Sequence, residues 1–240
     1  MRSFLALFFL FFFSFFAPAQ DNKPRVYLIP GQGSDGRIFG KMKIDSAFDT
    51  IHIRYSVPEK GETMKQFART LSAQIDTTKP FSIVGVSLGG MLATEMSCFL
   101  KPERVIVISS AVSRSELPAR YTFMKKIPLY RAFPAGLIKA GAFIAQPLVE
   151  PDRKKEKKIF KNMLRSKDKK FMKRSVDMIV RWKGPTEKSN CRVIHIHGNK
   201  DHTLPVRKVT ADHVVGKGSH MMTLTRPEEI SELVNKALKE

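Results

Sequence analysis

A serine stands between glycines in Gly85-Val86-Ser87-Leu88-Gly89, directly after the apolar run from Phe81 to Val86 and before a helical-looking stretch from Met91 to Leu100. Strand, tight turn and helix in that order hold a hydroxyl exposed as a nucleophile, and the flanking glycines give the turn room. A serine hydroxyl is a weak nucleophile until a base takes its proton and a third group orients the base. Both follow along the chain: Asp201 in His197-Gly198-Asn199-Lys200-Asp201, and His220 in Gly218-Ser219-His220. An imidazole at residue 220 would remove the Ser87 proton, and a carboxylate at residue 201 would fix its tautomer and steady the imidazolium. Acyl chemistry also needs donors for the developing oxyanion. The candidates are the amide of Leu88, next after the nucleophile, and that of Gln32, in the Gly31-Gln32-Gly33 loop that lets backbone approach closely.

These residues need a scaffold that brings them to one edge. Arg25 to Ile29 reads as a compact strand, followed by a short amphipathic piece (Ile38 to Ile44), a second strand from Thr50 to Ser56, and a helix with Met64, Phe67, Ala68, Leu71 and Ile75 on one face. The elbow strand and its helix come next, then a strand from Arg104 to Ser110. Alternation resumes with Arg192 to His197, a weaker strand at His213 to Val215, and a last helix from Pro227 to Leu238. Strands alternating with helices through short joints predict an α/β fold with a mostly parallel sheet covered by helices on both faces. Ser87, Asp201 and His220 then fall at C-terminal strand ends, the edge where open α/β sheets place their sites. Between Ser113 and Asn190 the alternation stops, and the chain reads as helices punctuated by six prolines. Residues 113–190 are thus expected to be a helical insertion into one domain spanning 20–240.

Taken together, the Pro30-Gly31-Gln32-Gly33 loop, the Gly85–Gly89 pentapeptide, His197–Asp201 and Gly218-Ser219-His220 resemble the α/β-hydrolase fold family, in its small, cap-bearing, esterase-like branch. The resemblance runs from Arg25 to the C-terminus. It implies a sheet trimmed to about six strands, residues 113–190 as the cap over the pocket, and cleavage of carboxylic esters or thioesters on a small-molecule acyl substrate with no metal or organic cofactor. Acyl transfer, C–C bond hydrolysis, or a hydrolase fold kept for binding without catalysis are the alternatives. Only eighteen residues separate Asp201 from His220, so the helix usual between them must be reduced to a turn, and Glu116, after the strand ending at Ser110, is the alternative acid.

Other features bound the cellular setting. Met1-Arg2-Ser3, the apolar run Phe4 to Phe16 and Ala17-Pro18-Ala19 have the three regions of a signal peptide, so residues 1–19 are expected to be removed and the protein to be periplasmic or secreted, an uncleaved anchor being the rival. Two cysteines, Cys98 and Cys191, are too few for a disulfide framework and are expected to be free thiols. The formal charge is +20, and residues 113–190 alone carry 21 Lys and Arg against 7 Asp and Glu. Such a cap suits an anionic membrane surface or anionic substrates; nucleic acid is not expected, because aromatics are not interleaved with the lysine runs. Gly31, Gly33 and Gly36 also match a dinucleotide-binding spacing, with Glu59 in place of the ribose-binding acid, but that reading leaves Ser87, Asp201 and His220 unexplained. His195, His197, Asp201 and His202 fall short of a zinc pattern by spacing, and the two strand histidines are expected to be core residues.

Overall fold

In the computed structural model, residues 23–149 and 153–240 are described. Six strands form one parallel sheet in the order β2-β1-β3-β4-β5-β6, with β1 Arg25–Ile29, β2 Asp49–His52, β3 Phe81–Val86, β4 Arg104–Ile108, β5 Arg192–Gly198 and β6 His213–Val215. Their side chains alternate between two cores, as the two-residue period of a strand requires. Tyr27, Ile29, Phe81, Ile83, Val105 and Val107 face the helices α1 (Met64–Ser72) and α2 (Leu88–Met96). Val26, Leu28, Val84, Val86, Ile106 and Ile108 face the C-terminal helix α8 (Pro227–Lys239), reached through the short α7 (Met222–Thr225). Because both faces are covered, β3 and β4 are largely apolar along their length, with Ser82 a buried exception, and do not alternate with exposed polar residues.

The order of the strands decides where a site can form. From β1 the chain goes outward to β2 and then returns to place β3 on the other side of β1, so the connections diverge between β1 and β3 and leave a crevice at their C-terminal ends. The loop after β1 and the turn after β3 both open there. Local signals agree with the sequence reading: α1 begins with a capping box, Thr63 accepting from the Gln66 amide while Gln66 accepts from that of Thr63. Two elements are shorter than their residues suggest. The second strand stops at His52, and of the piece from Ile38 to Ile44 only a 3-10 turn, Gly36–Phe39, forms, with Ile38 and Phe39 buried.

Between β4 and β5 come four helices, α3 Ala119–Lys126, α4 Ala135–Val149, α5 Arg153–Ser166 and α6 Lys169–Arg181. Of these, α6 contributes Phe171, Met172, Met178 and Ile179 to the α1/α2 core, and α5 contributes Phe160 and Met163 to the other. Cys98 and Cys191 are free thiols, both partly buried.

Candidate active site

Ser87 occupies the turn between β3 and α2 with φ 53° and ψ −118°, a region that non-glycine residues rarely enter. Such strain costs about 1–3 kcal/mol and persists only where the surroundings impose it. Here the Ser87 amide donates to the Ile108 carbonyl at 3.0 Å, and the Ser110 hydroxyl donates to the Ser87 carbonyl at 2.6 Å. The end of β4 therefore clamps the elbow.

The pentapeptide's glycines are required by close approach of backbone. A Cβ on Gly85 would lie 2.3 Å from the Gly89 carbonyl oxygen, and one on Gly89 would lie 2.1 Å from that of Ile29. The helix carrying the nucleophile thus starts in contact with the end of β1. Gly89→Ala is expected to force α2 and the β1 loop apart, costing about 1–3 kcal/mol or more and lowering Tm by several degrees; an unchanged melting curve would disprove this contact.

His220 joins the site from the loop after β6. Its Nδ1 lies 2.7 Å from Asp201 Oδ2 and its Nε2 lies 3.0 Å from Ser87 Oγ. An ionised carboxylate only accepts, so the imidazole proton sits on Nδ1 and Nε2 is left to accept from the serine. Asp201 Oδ1 accepts from the amides of Thr203 and Leu204, each at 2.8 Å. Burial pushes the Asp201 carboxyl up, but the charge and hydrogen bond of His220, with the Leu204 amide and His197, outweigh it and hold the group below its ordinary value. Asp201 is thereby kept as an anion facing the imidazole.

The short connection between residues 201 and 220 closes without a full helix. A 3-10 turn, Val206–Lys208, leads into β6, and the strand's far end is held against β5 by the Lys200 amide donating to the Gly218 carbonyl at 2.8 Å. Glu116 is buried elsewhere: its carboxylate accepts from the Val112 amide at 2.7 Å and the Thr210 amide at 3.4 Å, and burial pushes it up. The structure brings Asp201, and not Glu116, to His220.

His195 and His197 are buried side by side. Since the Leu204 carbonyl can only accept, His197 Nε2 carries the proton it donates there at 2.7 Å, and Nδ1 accepts from His195 Nε2 at 3.2 Å. Burial lowers both, His195 to about 4. His197 Nε2 also lies 3.5 Å from the Asp201 carboxylate, but the proton it carries is directed to the Leu204 carbonyl.

The loop after β1 passes directly beside the serine: a Cβ on Gly31 would sit 3.3 Å from that of Ser87. Ser34 holds this loop by accepting from the Gly31 amide at 2.9 Å and donating to its carbonyl at 3.2 Å. The Gln32 side chain donates to Ser175 Oγ at 2.9 Å and to the Met172 carbonyl at 3.2 Å, tying the loop to α6. Leu88 is the first residue of α2, so its amide belongs to those that a helix leaves without an internal partner. Both Gln32 and Leu88 line the cavity above Ser87. No helix begins at Gly36 beyond four residues of 3-10 turn, so the glycine loop lacks the helix N-terminus that a dinucleotide pyrophosphate needs.

That cavity, about 330 Å³, is lined by Ser87 and His220 below and by residues of the inserted helices above, among them Tyr121, Ala142, Phe160, Leu164, Met172 and Ile179. Among the described residues, the one cation on it apart from His220 is Arg120, which donates to the Thr203 carbonyl beside the Asp201 loop. Sequence reasoning missed Ser34, Ser110 and Arg120. A serine three residues into the glycine loop was a usable signal for Ser34; nothing in the linear pattern marks Ser110, which acts only through the register of β4 against β3.

A sequence profile described as the alpha/beta hydrolase family matches residues 7–233. Among solved structures, the chain is similar to an enol-lactonase from Burkholderia xenovorans LB400, with 15% identity, 91% of this chain and 92% of that one covered, and a TM-score of 0.69. It is also similar to a lipase-esterase related protein from Clostridium acetobutylicum ATCC 824 (14% identity, 91% and 96% covered, TM-score 0.61). A thermophilic esterase from Thermogutta terrifontis gives 13% identity, 90% and 89% covered, and a TM-score of 0.63. At these identities the likeness is one of fold. No curated protein sequence matches the chain.

Proposed function

The chain belongs to the alpha/beta hydrolase family, and from that premise we propose that it is an exported serine hydrolase that cleaves carboxylic ester or thioester bonds. The observation that carries the reading is His220 standing between Ser87 Oγ, at 3.0 Å, and Asp201 Oδ2, at 2.7 Å, on a strained elbow beneath an apolar cavity. Ser87 attacks the acyl carbonyl while His220 Nε2 takes its proton, and Asp201 stabilises the resulting imidazolium. The tetrahedral oxyanion is received by the Gln32 and Leu88 amides, each such donor being worth about 2.7–4 kcal/mol in the transition state. His220 then returns the proton to the leaving alcohol or thiol. Water, deprotonated by the same nitrogen, releases the acyl group and restores Ser87. No step requires a metal or organic cofactor.

The cavity volume, about 330 Å³, lies at the lower end for small-molecule sites and suits a compact apolar acyl group. The inserted helices act in this reading as the cap that selects it. The names of two structural neighbours, an enol-lactonase and an esterase, accord with the bond class. Export rests on the first nineteen residues, which lie outside the described region; among the described residues no helix is long and apolar enough to cross a membrane.

One experiment tests both parts. Intact-mass analysis of the protein recovered from its native host, after treatment with a fluorophosphonate, is expected to show a chain starting near Gln20 with one adduct, and no adduct on Ser87→Ala. A folded wild type that takes up no probe would argue for a hydrolase fold kept for binding. A chain that retains residues 1–19 would make the leader an anchor.

A further inference from the structure

Helix α4 is apolar around nearly its whole circumference: in Ala135–Val149 the only polar side chains are Lys139 and Gln146. A helix of that kind is normally enclosed on every side. Here the inner side is covered, with Ala142 lining the cavity and Phe143 packed on the core, whereas Leu137 and Ile144 are 55% and 78% exposed. The preceding segment does the same, with Phe123, Ile127, Leu129 and Phe133 turned to solvent. Six of the eight large apolar side chains exposed among the described residues therefore lie between 123 and 144. Single exposed apolar residues are ordinary; a concentration of them on one surface marks an interaction site.

Within the segment itself the charge has one sign. From Leu117 to Val149 the sequence holds no Asp or Glu, and five cations: Arg120, Lys125, Lys126, Arg131 and Lys139. Beside it lies a second cavity, about 580 Å³, lined by Lys60, Arg131, Lys173, Arg174 and Arg181, with Asp177 the single carboxylate among the described residues that line it. That carboxylate is already taken: it accepts from Tyr130 at 2.7 Å, Arg131 at 2.8 Å and Arg181 at 2.7 Å. The cavity adjoins the apolar patch, because the Lys173 ammonium donates to the carbonyls of Arg131 at 2.8 Å and Phe133 at 2.7 Å.

We infer that this outer face of residues 123–144, with the basic cavity at its side, docks on an anionic phospholipid bilayer. Exposed apolar side chains rimmed by cations match the boundary between headgroups and acyl chains, where one layer takes each. Leu137 and Ile144 enter the acyl region, Lys125 and Lys126 meet the anionic headgroups, and the basic cavity receives a lipid phosphate. A second copy of the chain is a poorer occupant, because residues 117–149 would bring five cations against five like charges with no carboxylate of that segment to meet them. The helix that lies on lipid is also one of those that roof the cavity over Ser87, yet the docking surface does not depend on any reaction there.

The test is flotation of the chain beginning at Gln20, which keeps every described element, with vesicles of phosphatidylcholine alone or mixed with phosphatidylglycerol. The chain is expected to float with the phosphatidylglycerol vesicles only. Lys125→Glu/Lys126→Glu and Leu137→Asp/Ile144→Asp are each expected to weaken partitioning about tenfold or more, with melting temperatures unchanged to show that they fold. Ser87→Ala should bind as wild type does, which separates this inference from the assignment of catalysis. Equal binding to phosphatidylcholine alone, or full binding by Leu137→Asp/Ile144→Asp, would overturn it. So would a dimer in sedimentation velocity that the same double variant dissociates, since the patch would then belong to a second copy.

Discussion

Ser87→Ala is expected to lower kcat on a short-chain ester by about 10⁴-fold or more, with His220→Ala close behind and the double variant scarcely worse than either single one. The reason lies in the hydrogen bond between them. His220 Nε2 is 3.0 Å from Ser87 Oγ, so neither group has a function in the acylation step without the other. What survives in each variant is catalysis by the oxyanion donors and by binding in the apolar cavity. KM should therefore change little, because the cavity walls come from α2 and the inserted helices, which neither substitution disturbs. Steady-state kinetics on purified variants decides the matter. Two single losses that multiply in the double variant would show that Ser87 and His220 act separately, and the proposed acyl-enzyme route would fail.

Asp201→Asn should cost about 10⁴-fold in kcat, while Glu116→Gln should stay within about threefold of wild type. At residue 201 the outcome follows from which oxygen is already engaged. Oδ1 accepts from the Thr203 and Leu204 amides, so an asparagine keeps its carbonyl oxygen there and turns its NH₂ toward His220 Nδ1. That nitrogen must then accept, which moves the imidazole proton to Nε2, where it faces Ser87 and cannot be replaced by the serine's own. The base is present but in the wrong tautomer. Glu116 has no such link, since its oxygens take the Val112 and Thr210 amides. A glutamine there still accepts one of them through its carbonyl. If Glu116→Gln lost activity and Asp201→Asn kept it, the acid would have to be reassigned.

The comparison of these two acids shows how far the linear pattern reaches. Both follow a strand and both are buried just beyond its C-terminal end, Glu116 in a 3-10 turn and Asp201 in a loop, so spacing alone left either available. Chain order favoured residue 201, but eighteen intervening residues made the connection look too short. The distinction came from β6 pairing beside β5 in parallel, and from the packing of Gly198 against Gly218, where a Cβ would lie 2.2 Å from the opposing carbonyl oxygen. No local propensity encodes that approach.

The parallel sheet, its largely apolar strands, the elbow at Ser87 and the helices between β4 and β5 are written in the residue pattern alone. These depend on periodicity, turn chemistry and glycine placement within a few residues, where neighbours in sequence are also neighbours in space. The same pattern also placed Ser87, Asp201, His220 and the Gln32 loop on one edge, because all follow strands of one parallel sheet. Which carboxylate reaches His220, the clamping of the two sides of the site by Ser110 and Ser34, and the covered side of α4 emerge only from the folded arrangement. Each of those depends on register and close approach between segments far apart in the chain, and an α4 that is apolar around nearly its whole circumference carries little sign of which side the protein itself will bury.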